Sequence, residues 1–105
     1  VVIDATNTNL NEFVIRRIIA TEGQTVDLDG AGNVYVDGEL LDESAYLGLV
    51  PTYSHVVAFP QTVPEGCVFV LGDNREVSTD SRSSDLGMVD ARYVIGRVLF
   101  SFGGQ

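Results

Sequence analysis

Short apolar runs separated by polar turns make up most of this 105-residue chain. The first clear run covers Phe13–Ile15 and residues 18–19, on either side of Arg16 and Arg17. Its β-branched side chains are restricted at χ1 and the run is short for a helix, so it predicts a strand. A second run, Cys67–Leu71, is apolar throughout and predicts a buried strand.

Two segments between these runs alternate apolar with polar residues. Residues 26–29 and 34–37 lie on either side of Gly-Ala-Gly-Asn at 30–33. This period of two, with glycine and asparagine between the arms, predicts a β-hairpin. Asp37 and Gly38 then supply the residue types of a second tight turn.

The remaining segments predict loops and a last strand. Residues 42–60 mix polar, proline and aromatic residues and predict a loop and short ribbon that leaves the core. Residues 93–100 predict the last strand, in which Gly96 marks a bulge or a close backbone approach. No segment has a long helical period, so we predict an all-β fold with an antiparallel β core, in a single domain spanning residues 1–105.

The composition excludes several classes of function. Fifteen acidic residues against six basic ones give a formal net charge of −9 and an isoelectric point near 4.2, which repels phosphate backbones. We therefore expect no nucleic-acid partner. The longest apolar runs fall far short of the ~20 residues of a membrane-spanning helix, so we expect this piece to be soluble by itself. It opens on Val-Val-Ile and not on methionine, which suggests a piece of a longer protein.

Two groupings of reactive residues are better explained by turn formation and core packing than by metal binding or catalysis. Asp27, Asp29 and Asn33 offer oxygen ligands for calcium, but the loop lacks the further ligands, and hairpin turns favour the same residue types. Cys67 and His55 could form a thiol nucleophile and its base, but a lone cysteine in an apolar strand typically packs in a core. We therefore expect no metal site, no cofactor and no catalytic thiol.

The polar segment 72–82 is different in kind, because small hydroxyls are interleaved with carboxylates and arginines. Asp80 and Arg82 can pair, Asp73 can bond backbone in a turn, and Ser78 can offer its hydroxyl to a cation. Polar loops between apolar strands often carry function. The residue types leave two interpretations open, an ordered functional network and a solvated surface loop.

The same segment resembles the final signature box of bacterial type I signal peptidases. The residues that carry this resemblance are 63–66, 69–75, Ser78, 80–82, Gly87 and Val89. Upstream, residues 16–19 with Gly23 and Val26 resemble the lysine box of that family, and residues 34–43 resemble the hairpin that follows it. The match therefore runs from about Phe13 to Phe100.

The resemblance implies a membrane-anchored serine endopeptidase with a serine nucleophile and a lysine general base. It also implies an antiparallel β core whose strand edges bind the extended residues before the cleavage site. Ile15 would help line pockets for small side chains, and Ser78 would hydrogen-bond the base. The residues that would shape the site are Arg17, Gly72, Asp73, Asn74 and Arg75, with Asp80 and Arg82 as a supporting ion pair.

Arg16 departs from the family pattern, because it occupies the position of the lysine. A guanidinium has a pKa above ~12 and cannot accept a serine proton at neutral pH. The chain contains no lysine at all, so a shift of register would not supply one. No residue of the chain matches the nucleophilic serine either. We therefore expect that this chain alone does not hydrolyse peptide bonds.

Two alternatives to a peptidase remain open. A degenerate relative could keep the groove for extended peptides and act as a non-catalytic binding module, which Arg16 favours. The self-cleaving repressors share a serine-lysine core, but the 72–82 signature and the hairpin around Tyr35 speak against them. For the peptidase, the resemblance implies signal peptides of secretory preproteins as partners, a membrane anchor outside this chain, and the extracytoplasmic face of the cell membrane.

Overall fold

The structure, a computed structural model, describes residues 1–44, 46, 51–54 and 57–97. His55 and residues 98–100 of the expected last strand lie outside this part. The strands in the described part are β1 Val2–Asp4, β2 Phe13–Ile15, β3 Arg17–Thr21, β4 Thr25–Leu28, β5 Val34–Val36, β6 Glu39–Leu40, β7 Gln61–Thr62, β8 Cys67–Leu71, β9 Val89–Asp90 and β10 Val94–Gly96.

These strands form three small antiparallel sheets. Their strand orders are β10-β1-β2, β3-β8-β9 and β6-β5-β4-β7, and each described pairing is antiparallel. The all-β prediction is therefore confirmed. Within the described ranges, no helix has the length and apolar character needed to cross a membrane.

The predicted hairpin is present, and its turns follow from residue type. Strands β4 and β5 pair in the register Val26↔Val36 and Leu28↔Val34. Asp37 and Gly38 both have positive φ, at 52° and 82°, which suits the tight turn between β5 and β6.

Strand β8 joins two hydrophobic cores. Val68 and Val70 pack in one cluster, with residues of β1 and β2. Phe69 and Leu71 point to the opposite face and pack in the other, with residues of β3, β4 and β5. A strand buried on both faces is apolar throughout, which explains why this segment shows no alternation.

The run 13–19 is not one strand, as the sequence predicts, but two. Strand β2 pairs with β1, whereas β3 pairs with β8 in another sheet, and the chain changes sheet at Arg16. Val14 of β2 packs in the cluster of β1, whereas β3 contributes Ile18 to that cluster and Ala20 to the cluster of β4 and β5. The break therefore places Arg16 at the junction of two sheets.

The C-terminal end also differs from the sequence prediction. Ala91–Tyr93 forms a 3₁₀ turn, whose N-terminus is capped by the side chain of Asp90, and β10 begins only at Val94. The pairing of β1 with β10 has a register shift opposite Val94 and Gly96, where the sequence predicts a bulge.

Phe69 tests the two-sided burial of β8. Its side chain is fully buried and meets Phe59 edge to face, with 5.8 Å between ring centroids. We expect Phe69→Ala to lower the free energy of unfolding by about 3–5 kcal/mol in urea titrations, because it leaves a cavity. Ile95→Ala is the control, since Ile95 is 56% exposed. Equal effects of the two substitutions would contradict this packing.

Candidate active site

The segment 72–82 folds back on the strand from which it leaves. The backbone nitrogen of Ser81 donates to the carbonyl of Val70 at 3.0 Å, and the Val70 nitrogen donates to Ser81 Oγ at 2.9 Å. Between these ends, the carbonyl of Asn74 accepts from Ser78 at 2.9 Å and closes a turn. Asn74 itself is exposed. The segment is thus an ordered network and not a solvated loop.

Asp80 and Arg82 form an ion pair at the centre of this network. Arg82 Nε and Nη2 donate to the two carboxylate oxygens of Asp80 at 2.9 and 2.8 Å, and both side chains are completely buried. Asp80 also accepts from the backbone nitrogen of Gly72 at 3.1 Å and from Ser78 Oγ at 2.6 Å. Burial by itself raises the pKa of the Asp80 carboxyl, but the bonds from Arg82 and Ser78 outweigh it and leave that pKa below its ordinary value.

Arg75 ties the turn to the excursion 42–60. Its guanidinium is buried and donates to the Gly72 carbonyl at 2.7 Å, to Thr52 Oγ1 at 2.8 Å and to both oxygens of Glu43 at 3.0 and 2.7 Å. A bidentate bond of this kind fixes orientation as well as distance. Part of the excursion is therefore docked against the turn, and Thr52 is completely buried.

Arg17, the first residue of β3, bonds the segment 72–82 at Asp73. It forms a bidentate pair with Asp73, with both N···O distances at 2.9 Å, and the hydrogen bond with Asp73 raises the Arg17 pKa. Its guanidinium carbon lies 3.7 Å from the ring centroid of Tyr46. The Tyr46 hydroxyl donates to Glu43 at 2.9 Å, and burial, helped by this bond, raises the pKa of Tyr46 to about 12.

Glu43, Tyr46 and Thr52 are therefore parts of the site network that the sequence analysis did not single out. Glu43 lies inside the hairpin that resembles the family, so a search for partners of the arginines could have found it. Tyr46 and Thr52 had no such signal, because their contacts with Arg17 and Arg75 connect positions far apart in sequence.

Arg16 and Ser78 both lie close to Gly72. A Cβ built on Gly72 would stand 2.7 Å from Ser78 Oγ and 3.4 Å from Arg16 Cδ. The half-buried Arg16 donates from Nε to the Thr79 carbonyl at 2.8 Å and from Nη1 to the Ile15 carbonyl at 2.7 Å. Burial lowers the Arg16 pKa from its ordinary value, although the Asp80 and Glu12 carboxylates oppose this.

The expected hydrogen bond between the residue at position 16 and Ser78 is not made by arginine in this structure. Ser78 Oγ donates to Asp80 and accepts from Arg82 at 3.1 Å, while the Arg16 guanidinium reaches to the Thr79 carbonyl. The arginine head group instead bonds the main-chain carbonyls of Thr79 and Ile15. For a lysine at position 16, the bond stays a prediction.

Ile15 lies where an extended ligand could reach it. It ends β2, which is the edge strand of its sheet, and its side chain is 44% exposed. An exposed edge offers unpaired backbone groups to another chain. Among the described residues, no group of three or more His, Cys, Asp and Glu side chains could hold a metal ion.

Gly72→Ala tests the close approach of Ser78 to Gly72. The added Cβ would stand 2.5 Å from the Ser78 Cβ, so Ser78 must move. We expect a loss of about 1–3 kcal/mol in the free energy of unfolding from overpacking, measured by urea denaturation. Gly30→Ala is the matched control, because a Cβ there meets nothing within 4 Å. If both variants are equally stable, Gly72 does not support Ser78.

Asp80→Asn tests the central ion pair. At pH 7 we expect a loss of about 3–5 kcal/mol in the free energy of unfolding, because Arg82 is left buried without its carboxylate. The lowered Asp80 pKa stabilises the fold above the unfolded value of about 4, and this contribution is lost as the pH falls through the folded pKa.

Wild-type protein should therefore lose more stability than Asp80→Asn between pH 5 and pH 2, in urea titrations at each pH. Asp90→Asn is the control, because its partner Arg92 is largely exposed. Parallel pH profiles for wild type and Asp80→Asn would contradict the assignment.

Comparisons with known proteins agree with this geometry. Residues 1–102 match the family described as Signal peptidase, peptidase S26. The probable signal peptidase I-1 of Synechocystis sp. is 40% identical over 94 residues, which are 90% of this chain and 44% of that protein. Signal peptidase I of Leptolyngbya laminosa is 38% identical over 96 residues, covering 91% of this chain and 44% of that protein.

A solved structure shows the same fold. The crystal structure of a signal peptidase I from Enterococcus faecalis matches with a TM-score of 0.68 at 30% identity, and the match covers 93% of this chain and 91% of that chain. This chain spans less than half the length of the two relatives above. The family match, the two relatives and the shared fold agree, so the chain belongs to the signal peptidase family, peptidase S26.

Proposed function

We propose that the chain is part of a signal peptidase I-like serine endopeptidase that removes signal peptides from secretory preproteins, and that the chain does not hydrolyse them by itself. One observation carries the proposal: the half-buried Arg16 side chain and Ser78 both approach Gly72, and the resemblance assigns the general base to position 16. On the same grounds, the intact protein is held at the extracytoplasmic face of the membrane by an anchor outside this chain.

The environment of position 16 suits a base that works as a free amine. Burial favours the neutral form of a cation, and it lowers the pKa of Arg16. The same burial around a lysine amine, whose ordinary pKa is about 10.4, brings it closer to neutrality and lets it accept a serine proton. A guanidinium starts above ~12 and stays charged, so Arg16 fills the position without doing the chemistry.

The supporting network suits a peptidase scaffold. Asp80 and Arg82 bond Ser78, while Arg17 bonds Asp73 and Arg75 bonds the Gly72 carbonyl. Such preorganisation is what positioned proton transfer requires. The edge strand β2, with Ile15 exposed at its end, supports binding of an extended peptide by backbone pairing.

A non-catalytic peptide-binding module is the second candidate, and the bonding of Arg16 favours it. Two main-chain carbonyls, those of Thr79 and Ile15, receive its guanidinium at 2.8 and 2.7 Å. Arg16 is thus an integrated part of the site and not a loose surface cation. In this case the protein still binds an extended peptide, and a lysine at position 16 does not restore hydrolysis.

Arg16→Lys separates the two candidates. The substitution is made in the natural protein that contains this chain, and hydrolysis of a peptide with small residues before the scissile bond is followed by mass spectrometry. For a peptidase scaffold we expect turnover to rise by roughly 10²–10⁴, the usual contribution of a positioned base. Arg92→Lys, at an exposed arginine, is the control and should change nothing.

Each outcome of this experiment decides between the candidates. Binding of the peptide without any gain in turnover identifies the binding module. Hydrolysis by the unmodified 105-residue chain that survives Arg16→Ala would overturn the proposal that this chain is inactive.

A further inference from the structure

Glu43 and Tyr46 connect two arginines that belong to different parts of the fold. Arg17 begins strand β3, whereas Arg75 follows strand β8 in the segment 72–82. The centre of the Tyr46 ring lies 3.7 Å from the Arg17 guanidinium carbon, and the Tyr46 hydroxyl donates to Glu43 Oε1 at 2.9 Å. The same Glu43 oxygen accepts from Arg75 Nη2 at 2.7 Å. A continuous line of contacts thus joins the two arginines.

The two arginines close this line into a ring, because both bond the start of the segment 72–82. Arg17 pairs with Asp73, and Arg75 Nε donates to the Gly72 carbonyl at 2.7 Å. Side chains that share one hydrogen-bonded network are coupled, so a change at one contact alters the others. A change in the middle of the ring is therefore felt at Gly72.

Glu43 is the buried anchor of this ring. Its side chain is 10% exposed, and that of its partner Arg75 is 0% exposed. Hydrogen bonds between ionised groups are roughly twice as strong as those between neutral groups, and a bidentate pair also fixes orientation. Arg17 is more open, and the Tyr46 ring adds a cation–π contact to its ion pair with Asp73.

Gly72 is the point at which the ring reaches the candidate active site. A Cβ at Gly72 would stand 2.7 Å from Ser78 Oγ and 3.4 Å from Arg16 Cδ. A displacement of Gly72 therefore changes the space that Ser78 and the side chain at position 16 share.

We infer that Glu43 and Tyr46 are positioning residues of this site. They act through Arg75 and Arg17, which set where Gly72 lies against Ser78 and position 16. The inference rests on the proposed peptidase scaffold and extends it to a part of the chain, the start of the excursion 42–60, to which the resemblance assigns no role.

The arginine side chains of the 105-residue chain provide a test that needs no activity. Each of the six arginines has one Nε–H group, whose exchange with water NMR can follow. The Nε–H groups of Arg16, Arg17, Arg75 and Arg82 are all hydrogen-bonded. Such a group exchanges only when its bond opens, so each rate reports one place in the site.

Glu43→Gln keeps the size of the side chain and removes its charge. We expect the Nε–H groups of Arg75, Arg17 and Arg16 to exchange roughly ten- to hundred-fold faster, as for the loss of a hydrogen bond to a charged group. Arg82 should exchange at its wild-type rate, which shows that the effect is local and that the variant is folded.

Two further variants complete the exchange experiment. Tyr46→Phe keeps the ring on Arg17 and removes only the bond to Glu43, so we expect the same pattern with a smaller change. Glu39→Gln is the matched control, because Glu39 lies exposed on β6 in the same hairpin. It should leave all the rates unchanged.

The natural protein that contains this chain adds a kinetic test. With Arg16→Lys in place, Glu43→Gln should lower kcat for the peptide roughly ten- to hundred-fold, because the base is misplaced. KM should stay unchanged, since the peptide is bound along β2 in the proposed function. Glu39→Gln should alter neither constant.

Failure of the inference can be told apart from failure of the proposed function. Faster exchange at Arg75 alone would make Glu43 a local partner of Arg75 and overturn the inference. An equal rise at Arg82 would also overturn it, because it indicates a loss of global stability. So would an active Arg16→Lys protein whose kcat does not respond to Glu43→Gln. If Arg16→Lys gives no hydrolysis, the proposed peptidase scaffold is wrong, and the exchange rates still decide whether the ring positions the site.

Discussion

The buried ion pair of Asp80 and Arg82 is the interaction on which the rest of the site depends. Its carboxylate receives the Gly72 nitrogen at the start of the turn and the Ser78 hydroxyl in its middle. Its guanidinium donates to the carbonyls of Arg75 and Tyr53, so the pair also reaches the excursion 42–60. A buried pair adds little to stability compared with an apolar core, but losing one partner is costly. Its contribution here is to fix geometry, because one pair holds Gly72, Ser78 and part of the excursion 42–60 in place.

The arginines of the site divide into two kinds. Arg17, Arg75 and Arg82 each form bidentate bonds to a carboxylate, and that of Arg75 joins the turn to Glu43 in the excursion 42–60. Arg16 bonds only main-chain carbonyls among the described residues. Neither Arg16 nor the exposed Arg97 takes part in the ion pairs of the described residues, and Arg16 is the half-buried one of the two. The network of buried ion pairs thus lies around a cation that cannot give up its proton.

The sequence predicts those features of the fold that are set locally. The hairpin follows from alternation and from the turn chemistry around Gly32 and Asp37, and β8 follows from an apolar run. The break at Arg16 could not be predicted, because the pattern 13–19 is continuous and only the partners β1 and β8 divide it between sheets. In the site, the resemblance pointed to the turn 72–82. Tyr46 and Thr52 escaped notice because their contacts are long-range and leave no local pattern.

Amide hydrogen exchange tests most directly whether the buried pair holds the site. The Gly72 and Arg82 amides both donate to the Asp80 carboxylate, at 3.1 Å each. If the pair fixes the turn, both amides exchange only through global unfolding, with the same protection as the Val68–Val70 amides of β8. Rapid exchange of these two amides while β8 stays protected would show that the turn opens independently, and it would contradict the account.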